Sequence, residues 1–295
     1  MAKAIFTFSE GSDYDDRPEE RYHFPETYKN QVDQSVGDLI IYYEPRRDRG
    51  PSTSGGRQAY FASARVTGVV KYFDRPGHYY ASISDYLPFD HPVPFKEGQN
   101  YFESSLLKLD GTTNKGQFGR SVRLVPEVEF EQILRAGFVR ELDEWERRDN
   151  RVAEPEAIYD ARPLITTIIT RPFRDQVFKR LVRDAYRNTC AISGLSLING
   201  GGRPEVQAAH VKSVAAQGPD SVRNGLALTG TVHWLFDRGL ISVSDDYRVL
   251  VSGHGVPDEM ARLIRSDRSL LLPNEQHLRP HPTYLAWHRE NCFKP

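Results

Sequence analysis

One short run in the second half of the sequence constrains the fold of this chain more than any other feature. Residues 205–211 alternate as a strand does, and residues 224–228 form a second short apolar strand. The turn-forming residues Gln-Gly-Pro-Asp-Ser lie between them and predict a loop. Residues 231–238 have the spacing of a helix, with Thr229 or Thr231 placed to cap its start. The run therefore predicts strand, loop, strand and helix in close succession.

Four polar side chains of this run are suited to hydrolysis of a phosphodiester bond. His210 ends the first strand, and an imidazole, which titrates near neutral pH, can take a proton from an attacking water. Asn224 can fix either the loop or the imidazole through its side-chain amide. His233 and Asp237 stand four residues apart on the helix, so both can face one divalent cation.

The order of these residues resembles the HNH nuclease family. The pattern Ala-Ala-His, Asn-Gly-Leu and His-x-x-x-Phe-Asp-x-Gly-Leu is similar to a branch described as restriction endonucleases, and Cys-Ala-Ile-Ser-Gly at 190–194 also fits that branch. The resemblance implies a ββα-metal nuclease domain. It further implies that His210, Asn224 and His233 are catalytic, and that His233 and Asp237 bind one Mg²⁺ or Mn²⁺ ion per active site.

One position departs from the family pattern. Many members carry Asp or His directly before the first histidine, where this chain has Ala209. Two protein ligands, completed by phosphate oxygens and waters, suit Mg²⁺ or Mn²⁺ and imply weak metal binding before the nucleic acid arrives. Alternatively, His210 is itself a ligand and another group acts as the base. Cys190 has no Cys-x-x-Cys partner, so no structural zinc is expected.

Basic residues flank the same run. Arg223 and Arg238 are candidates for contacts to the DNA backbone, and Lys212 is a weaker one. The alternative is that these side chains only line the rim of the site. The net charge of −1 does not decide between the two, because local basic patches matter more than the total charge.

The length of 295 residues and a hydrophobic content of 39% are sufficient for two folded domains. Residues 1–140 are rich in strand patterns and end in a helical pattern at 128–138. Residues 141–165 are charged and contain prolines, which is typical of a linker. Residues 166–295 form the nuclease domain and open with an amphipathic helix over 173–186. The predicted fold class is α+β.

Strand patterns dominate the first domain. Residues 39–43 are a continuous apolar run, as in a buried strand. Residues 60–72 predict a second strand or strand pair, broken near Gly68, and residues 78–86 predict a third, which Pro88 ends. A curved sheet or barrel is expected.

The segment Gly-Asp-Leu-Ile-Ile-Tyr-Tyr-Glu-Pro at 37–45, with Tyr-Phe-Ala-Ser-Ala-Arg-Val-Thr-Gly at 60–68, resembles the PUA-like superfamily that includes EVE and SRA modules. The resemblance implies a β-barrel that reads a modified base, often a modified cytosine, flipped into an aromatic pocket. The alternative is that the candidate residues belong to the core. They are Tyr14, Asp15, Tyr42, Tyr43, Asp85 and Tyr86.

Together these features predict a modification-dependent, restriction-type DNA endonuclease. Its partner would be double-stranded DNA carrying modified cytosine, and a homodimer would let two sites cut both strands. The alternatives are a non-catalytic reader of modified nucleic acid and a nonspecific or RNA-directed HNH nuclease. The apolar runs fall short of the roughly 18–20 residues that span a bilayer, and no signal-peptide core opens the sequence, so a cytoplasmic protein is expected.

Overall fold

The computed structural model describes residues 2–9, 14–46, 56–139, 142, 168 and 170–295. The chain divides into two compact units, Met1–Phe173 and Arg174–Pro295, called unit 1 and unit 2 below. The predicted linker at 141–165 lies outside the described residues apart from Leu142. No helix among the described residues is both long enough and apolar enough to cross a membrane.

Unit 1 is built on a six-stranded mixed sheet. Its strands are β1 (Ala4–Thr7), β2 (Arg21–Pro25), β3 (Leu39–Glu44), β4 (Ala59–Lys71), β5 (His78–Pro94) and β8 (Val122–Leu124), with β6 (Lys96–Glu97) and β7 (Asn100–Tyr101) forming a separate ribbon. The strands of the sheet pair in the order β2-β5-β4-β3-β1-β8. Strand β1 runs parallel to β3, and the other neighbours are antiparallel.

Bulges curl this sheet. The register between β4 and β5 shifts at three places, and a fourth shift lies between Tyr42 and Tyr43 on β3. Each bulge inserts an extra residue and increases the local twist, so the sheet curves into a half-barrel whose edges are β2 and β8. The predicted α+β class is confirmed. The described strands form an open half-barrel, and a PUA-like identity stays a prediction.

The two long strands differ from their predicted limits. Gly68 does not break the second strand, because the chain absorbs it as a bulge within Ala59–Lys71. Pro88 does not end the third strand, which continues to Pro94. Proline lacks the N–H that a regular ladder needs, and Pro88 is tolerated since it pairs with Ala62 beside a register shift.

The helices of unit 1 are α1 (Lys29–Gln34), α2 (Lys115–Phe118) and α3 (Glu127–Gly137). The helix predicted at 128–138 is thus confirmed as α3, which buries Phe130, Ile133 and Leu134. Its last residue approaches β5 closely, because a Cβ on Gly137 would lie 2.4 Å from the Phe89 ring. Glycine lets the helix pack directly on the sheet.

Unit 2 contains the predicted strand, loop, strand and helix. Its elements are α4 (Arg171–Ala185, which begins in unit 1), β9 (Gln207–His210), β10 (Gly225–Leu228), α5 (Gly230–Asp237), β11 (Ile241–Val243), β12 (Val249–Val251), α6 (Asp258–Ala261) and α7 (Pro282–Asn291). Strands β9 and β10 are antiparallel, as are β11 and β12. The amphipathic helix predicted at 173–186 is confirmed as α4.

Helix α7 anchors the helix that follows the β9–β10 pair. The buried His288 ring stacks on Phe236 of α5, with centroids 3.8 Å apart and planes 10° apart. Its Nε2–H donates to the Phe236 carbonyl at 3.1 Å, and its Nδ1 accepts from the Ser242 hydroxyl at 2.9 Å. Burial lowers the pKa of His288 to about 4, so the ring is neutral and serves as structure.

Candidate active site

His210 lies at the end of β9, opposite Gly225 of β10. A Cβ on Gly225 would lie 2.4 Å from Val182, so this glycine lets α4 pack directly on the strand pair. The close approach places the Phe178 ring of α4 flat against the His210 imidazole, with centroids 3.8 Å apart and planes 15° apart. The histidine is therefore held in one plane while 17% of its side chain stays exposed.

A buried carboxylate orients the ring. Nε2 of His210 lies 3.0 Å from Oδ1 of Asp220, whose side chain is fully buried. The other oxygen, Oδ2, accepts from Nε and Nη2 of Arg174 at 2.9 and 2.7 Å. A carboxylate can only accept, so it holds a proton on Nε2 and leaves Nδ1 as the nitrogen that can take a proton or bind a cation.

Asn224 holds the loop, one of the two roles open from the sequence. It ends a 3₁₀ helix (Val222–Asn224) and is fully buried. Its Oδ1 accepts from the Lys212 backbone N–H at 2.8 Å, and its Nδ2 donates to the carbonyls of Lys212 and Pro219 at 3.0 Å each. These three bonds cross the loop that carries Asp220, so Asn224 acts on His210 through the loop.

His233 and Asp237 face each other on α5, with Nε2 and Oδ2 3.4 Å apart. Nδ1 of His233 lies 2.9 Å from Oε1 of Gln207 on β9. An amide oxygen accepts only, so Nδ1 carries the proton and Nε2 directs its lone pair toward the Asp237 side. The two side chains are 21% and 57% exposed and are accessible to an incoming ion.

This donor set fits a weakly held cation. Across the part of the chain that the structure describes, no group of three His, Cys, Asp or Glu side chains could hold a metal ion. One imidazole nitrogen and one carboxylate remain, His233 and Asp237, and water and phosphate oxygens would have to complete the shell. Mg²⁺ characteristically keeps several waters and binds through one or two carboxylates plus phosphate, so these residues fit such an ion.

A free backbone N–H at the start of α5 finds a hydrogen-bond partner that the sequence did not indicate. Thr229 is the N-cap residue, but its hydroxyl donates to the Cys190 sulfur at 3.8 Å rather than capping the helix. The Gly230 N–H donates instead to Oε1 of Glu205 at 2.7 Å. Glu205 lies just before β9. Its hydrogen bond to Gly230 therefore links the start of β9 to the start of α5.

The predicted DNA-backbone residues lie at the surface of unit 2 or near it. The Arg238 guanidinium lies 5.9 Å from the ring centre of Trp234, which is 56% exposed. Arg223 and Lys212 are half-buried, and their backbone groups bind His281 and Asn224. Their proposed contacts with phosphate remain predictions.

Sequence reasoning missed Arg174, Phe178, Gln207 and Asp220. Asp220 looked like an ordinary turn residue after Gly-Pro, and no local signal reveals that its partner is 46 residues earlier. Arg174 and Phe178 both belong to the amphipathic helix predicted over 173–186. Their spacing of four residues was the one available sign that both could serve a common neighbour.

The aromatic candidates of unit 1 belong to its packed layers. Tyr42, Tyr43 and Tyr86 are at most 7% exposed. Tyr42 packs on Tyr86 and Phe61, with centroids 6.3 and 5.8 Å away. Tyr43, by contrast, packs on Tyr60 at 5.2 Å. The two neighbouring tyrosines therefore have separate contacts.

The remaining pocket candidates are at the surface. Tyr14 is 37% exposed and lies edge-on to His23, with centroids 5.0 Å apart. Asp15 pairs with Arg21. Asp85 has a φ of +53° and accepts from Nε of Arg65 at 2.9 Å.

Asp16, next to these candidates, has a strongly perturbed carboxyl group. Burial raises its pKa to about 7, although its Oδ1 accepts the His23 N–H at 2.6 Å. The carboxyl is thus partly protonated near neutral pH. Nothing in the sequence distinguishes Asp16 from its neighbour Asp15.

A strand, loop, strand and helix carrying His, Asn and His define a ββα nuclease site. Residues 190–244 match the family model described as HNH endonuclease. This part of the chain is an HNH endonuclease domain, which confirms the resemblance found in the sequence.

The chain is also similar to two solved restriction endonucleases. One is a modification-dependent TagI restriction endonuclease, 13% identical, with 97% of this chain and 80% of that one covered and a TM-score of 0.30. The other is the type IV phosphorothioation-dependent restriction endonuclease ScoMcrA, 13% identical, with 98% and 52% covered and a TM-score of 0.21. TM-scores this low do not establish a shared fold. No curated protein matches the sequence.

Proposed function

We propose that the chain is a modification-dependent, restriction-type DNA endonuclease that hydrolyses phosphodiester bonds with one Mg²⁺ or Mn²⁺ ion. The observation that carries the proposal is the HNH domain in which His210 is fixed between Phe178 and the buried Asp220. A structural histidine needs no exposed nitrogen. His210 instead combines a fixed ring with a partly exposed side chain, as a general base requires.

The proposed base acts through Nδ1. Asp220 holds the other proton on Nε2, so the neutral ring presents the Nδ1 lone pair to an attacking water. Nδ1 then takes the water proton, and the Asp220 carboxylate stabilises the imidazolium that forms. Arg174 pairs with this carboxylate and holds it in place. The remaining alternative, His210 as a metal ligand, would use the same nitrogen.

His233 and Asp237 would hold the cation. When bound, the ion polarises the scissile phosphate and stabilises the leaving oxygen. Gln207 keeps the His233 proton on Nδ1, so that Nε2 stays available as a donor atom. Asn224 keeps the loop closed and so sets the position of Asp220.

We assign recognition to residues 1–140, linkage to residues 141–165 and cleavage to residues 166–295. The proposed ligand of the first part is double-stranded DNA with modified cytosine. Tyr14 and Asp15 support this assignment, since both are exposed at the surface of unit 1, where a flipped base could reach them. A homodimer would supply the second site that a double-strand break needs.

The test is cleavage of three matched plasmids that carry plain, 5-methyl or 5-hydroxymethyl cytosine, with Mg²⁺ or Mn²⁺ and with EDTA. Cutting of a modified plasmid alone, lost in EDTA and in His210→Ala, is expected. His254→Ala is the matched control, because His254 is an exposed histidine of unit 2 away from the site residues.

Other outcomes correct the proposal in defined ways. Equal cutting of all three plasmids would retain the nuclease and remove the modified-base sensor. Cutting of RNA in preference to DNA would replace the substrate. Tight binding of modified DNA with no cutting under any metal would favour a non-catalytic reader. Full activity of His210→Ala would remove His210 as the base.

A further inference from the structure

A cleft of about 760 Å³ opens on unit 2, and the proposed reaction leaves most of it unused. Its size lies within the range of about 300–1,000 Å³ that is usual for small-ligand sites. The residues that matter most for its chemistry are Lys179, Arg183, Arg203, Leu197, Ile198 and His233. The cleft thus combines cations, exposed apolar side chains and a candidate metal ligand.

One wall of the cleft is positively charged. Lys179 and Arg183 stand one turn apart on α4, and Nε of Arg183 donates to the Lys179 carbonyl at 3.0 Å. Arg203 adds a third cation from the turn that precedes β9. Glu205 is the one carboxylate among the residues that line the cleft, and its Oε1 is occupied by the Gly230 N–H. The cleft therefore favours an anion.

Another part of the lining, called the apolar wall below, consists of two aliphatic side chains on the hairpin that also carries Arg203. Leu197 and Ile198 are 52% and 56% exposed. They belong to a hairpin in which Ile198 bridges Pro204, and Oδ1 of Asn199 accepts the N–H of Arg203 at 2.9 Å. These contacts hold the two side chains outward, where they meet solvent beside the cations.

The cleft reaches the candidate metal pair. His233 and Gln207 line it, and the same two side chains are joined by the 2.9 Å hydrogen bond that orients the His233 ring. A ligand in the cleft would therefore be continuous with a phosphate bound at His233 and Asp237. Arg223, Arg238 and Lys212, which the sequence suggested as backbone contacts, do not line it.

We infer that this cleft binds the nucleotides next to the scissile phosphate on the DNA strand being cut. Lys179, Arg183 and Arg203 hold the phosphates, and Leu197 and Ile198 contact the sugars and bases. A nucleotide has this combination of an anionic and an apolar part, so it matches both walls. The inference deepens the proposed function and rests on it.

The test measures equilibrium binding of the full chain to a short fluorescent DNA duplex in EDTA, so that cleavage cannot interfere. The slope of log K against log salt is negative, and each lost phosphate contact reduces its magnitude by about 0.9. Lys179→Gln/Arg183→Gln should therefore reduce this magnitude by about 2 and weaken binding about 10- to 100-fold at moderate salt. Its matched control, Arg187→Gln/Arg262→Gln, removes the same charge from exposed sites outside the cleft and should change binding less than about threefold.

The apolar wall has a separate signature. Leu197→Ser/Ile198→Ser should weaken binding about three- to tenfold while the salt slope stays unchanged, because apolar contacts release no counterions. Both side chains are more than half exposed, so thermal unfolding of this variant should match the wild type. An unchanged affinity would remove the apolar wall from the site.

Failure of the inference is distinguishable from failure of the proposed function. If the wild type cuts DNA but the cleft variants bind and cut as it does, the cleft does not bind DNA and the nuclease activity is retained. If the wild type binds DNA without cutting and the cleft variants lose binding, the cleft does bind DNA and the proposed nuclease activity is wrong. Stronger competition by an RNA duplex than by DNA would overturn the assignment to DNA.

Discussion

Two pairs of buried polar residues, one pair in each unit, differ in their hydrogen bonding. In unit 2, Asp220 and Asn224 are fully buried and hydrogen-bonded. Asp220 binds Arg174 and His210, and Asn224 binds the backbone of the loop. In unit 1, the hydroxyls of Tyr42 and Tyr43 are buried without a hydrogen-bond partner among the described residues. An unpaired buried hydroxyl costs about 1–3 kcal/mol.

The difference separates a candidate site whose buried polar groups are all hydrogen-bonded from a core that holds two unpaired hydroxyls. The hydrogen bonds of Asp220 and Asn224 fix His210 before any substrate arrives, which is what catalysis requires. The hydroxyls of Tyr42 and Tyr43, by contrast, have no hydrogen-bond partner among the described residues. Four substitutions or titrations test this contrast.

The largest effect is expected from Asn224→Asp. The new carboxylate would face the carbonyls of Lys212 and Pro219, to which the amide now donates. We expect a loss of about 3–5 kcal/mol in the free energy of unfolding, measured by denaturant titration. Asn199→Asp is the control. The Asn199 side chain accepts two backbone N–H groups through Oδ1, and a carboxylate can accept the same bonds, so stability should change by less than about 0.5 kcal/mol. Equal stability of the two variants would refute the role of Asn224 in the loop.

Acid should weaken unit 2 through His288. An unfolded histidine takes up a proton below a pKa of 6.5, whereas the folded ring resists protonation until about 4. Stability is therefore lost as the pH falls from 6.5 to 4, by about 3 kcal/mol in all. Denaturant titrations across this range, with an NMR titration of the His288 ring, measure both quantities. A ring that titrates near 6.5 in the folded protein would contradict the account.

Asp220→Asn should act on the reaction more than on the fold. The amide keeps one oxygen for His210 but loses the charge that stabilises the imidazolium and pairs with Arg174. We expect a loss of about 10- to 100-fold in kcat, with KM nearly constant. Asp245→Asn serves as the control, because Asp245 is 72% exposed and pairs with Arg289 elsewhere on unit 2. A larger change in KM than in kcat would point to substrate binding instead.

The smallest effect is expected from Tyr42→Phe. Removing a hydroxyl that has no partner should leave stability within about 1 kcal/mol of the wild type, or raise it. Tyr60→Phe is the matched comparison, since its buried hydroxyl donates to Glu103 at 2.7 Å and its loss should cost about 1–3 kcal/mol. Thermal unfolding ranks the two variants. If Tyr42→Phe also lost discrimination of modified DNA, the hydroxyl would belong to the base pocket.

Local patterns in the sequence were sufficient to predict four elements of unit 2, namely α4, β9, β10 and α5. The spacing of apolar residues along α4 and the short β9–β10 pair each depend on neighbours within one element or one turn, so periodicity predicts them. The fixed order of His210, Asn224 and His233 then placed the candidate site on those elements. The Asp220–Arg174 pair joins two elements far apart in sequence, and no periodicity records such a contact.

Unit 1 shows the opposite limit. Its aromatic residues are compatible with a base pocket or with a core in the sequence, and only the fold gives Tyr42 and Tyr43 their separate neighbours. The ends of the strands were likewise set by the fold, through bulges that the sequence does not reveal. A glycine or proline predicts a break, but Gly68 and Pro88 are carried inside long strands because register shifts accommodate them.

The position of β1 bears on the order in which the chain can fold. β1 lies between β3 and β8, and its residues 4–6 pair with residues 122–124. One side of β1 therefore lacks its partner during synthesis until β8 has left the ribosome, whereas β9 and β10 can pair soon after both appear. An unpaired strand edge invites association with other chains. We expect aggregation of nascent or refolding protein to begin at unit 1, and fragments that end before β8 to be its most prone form.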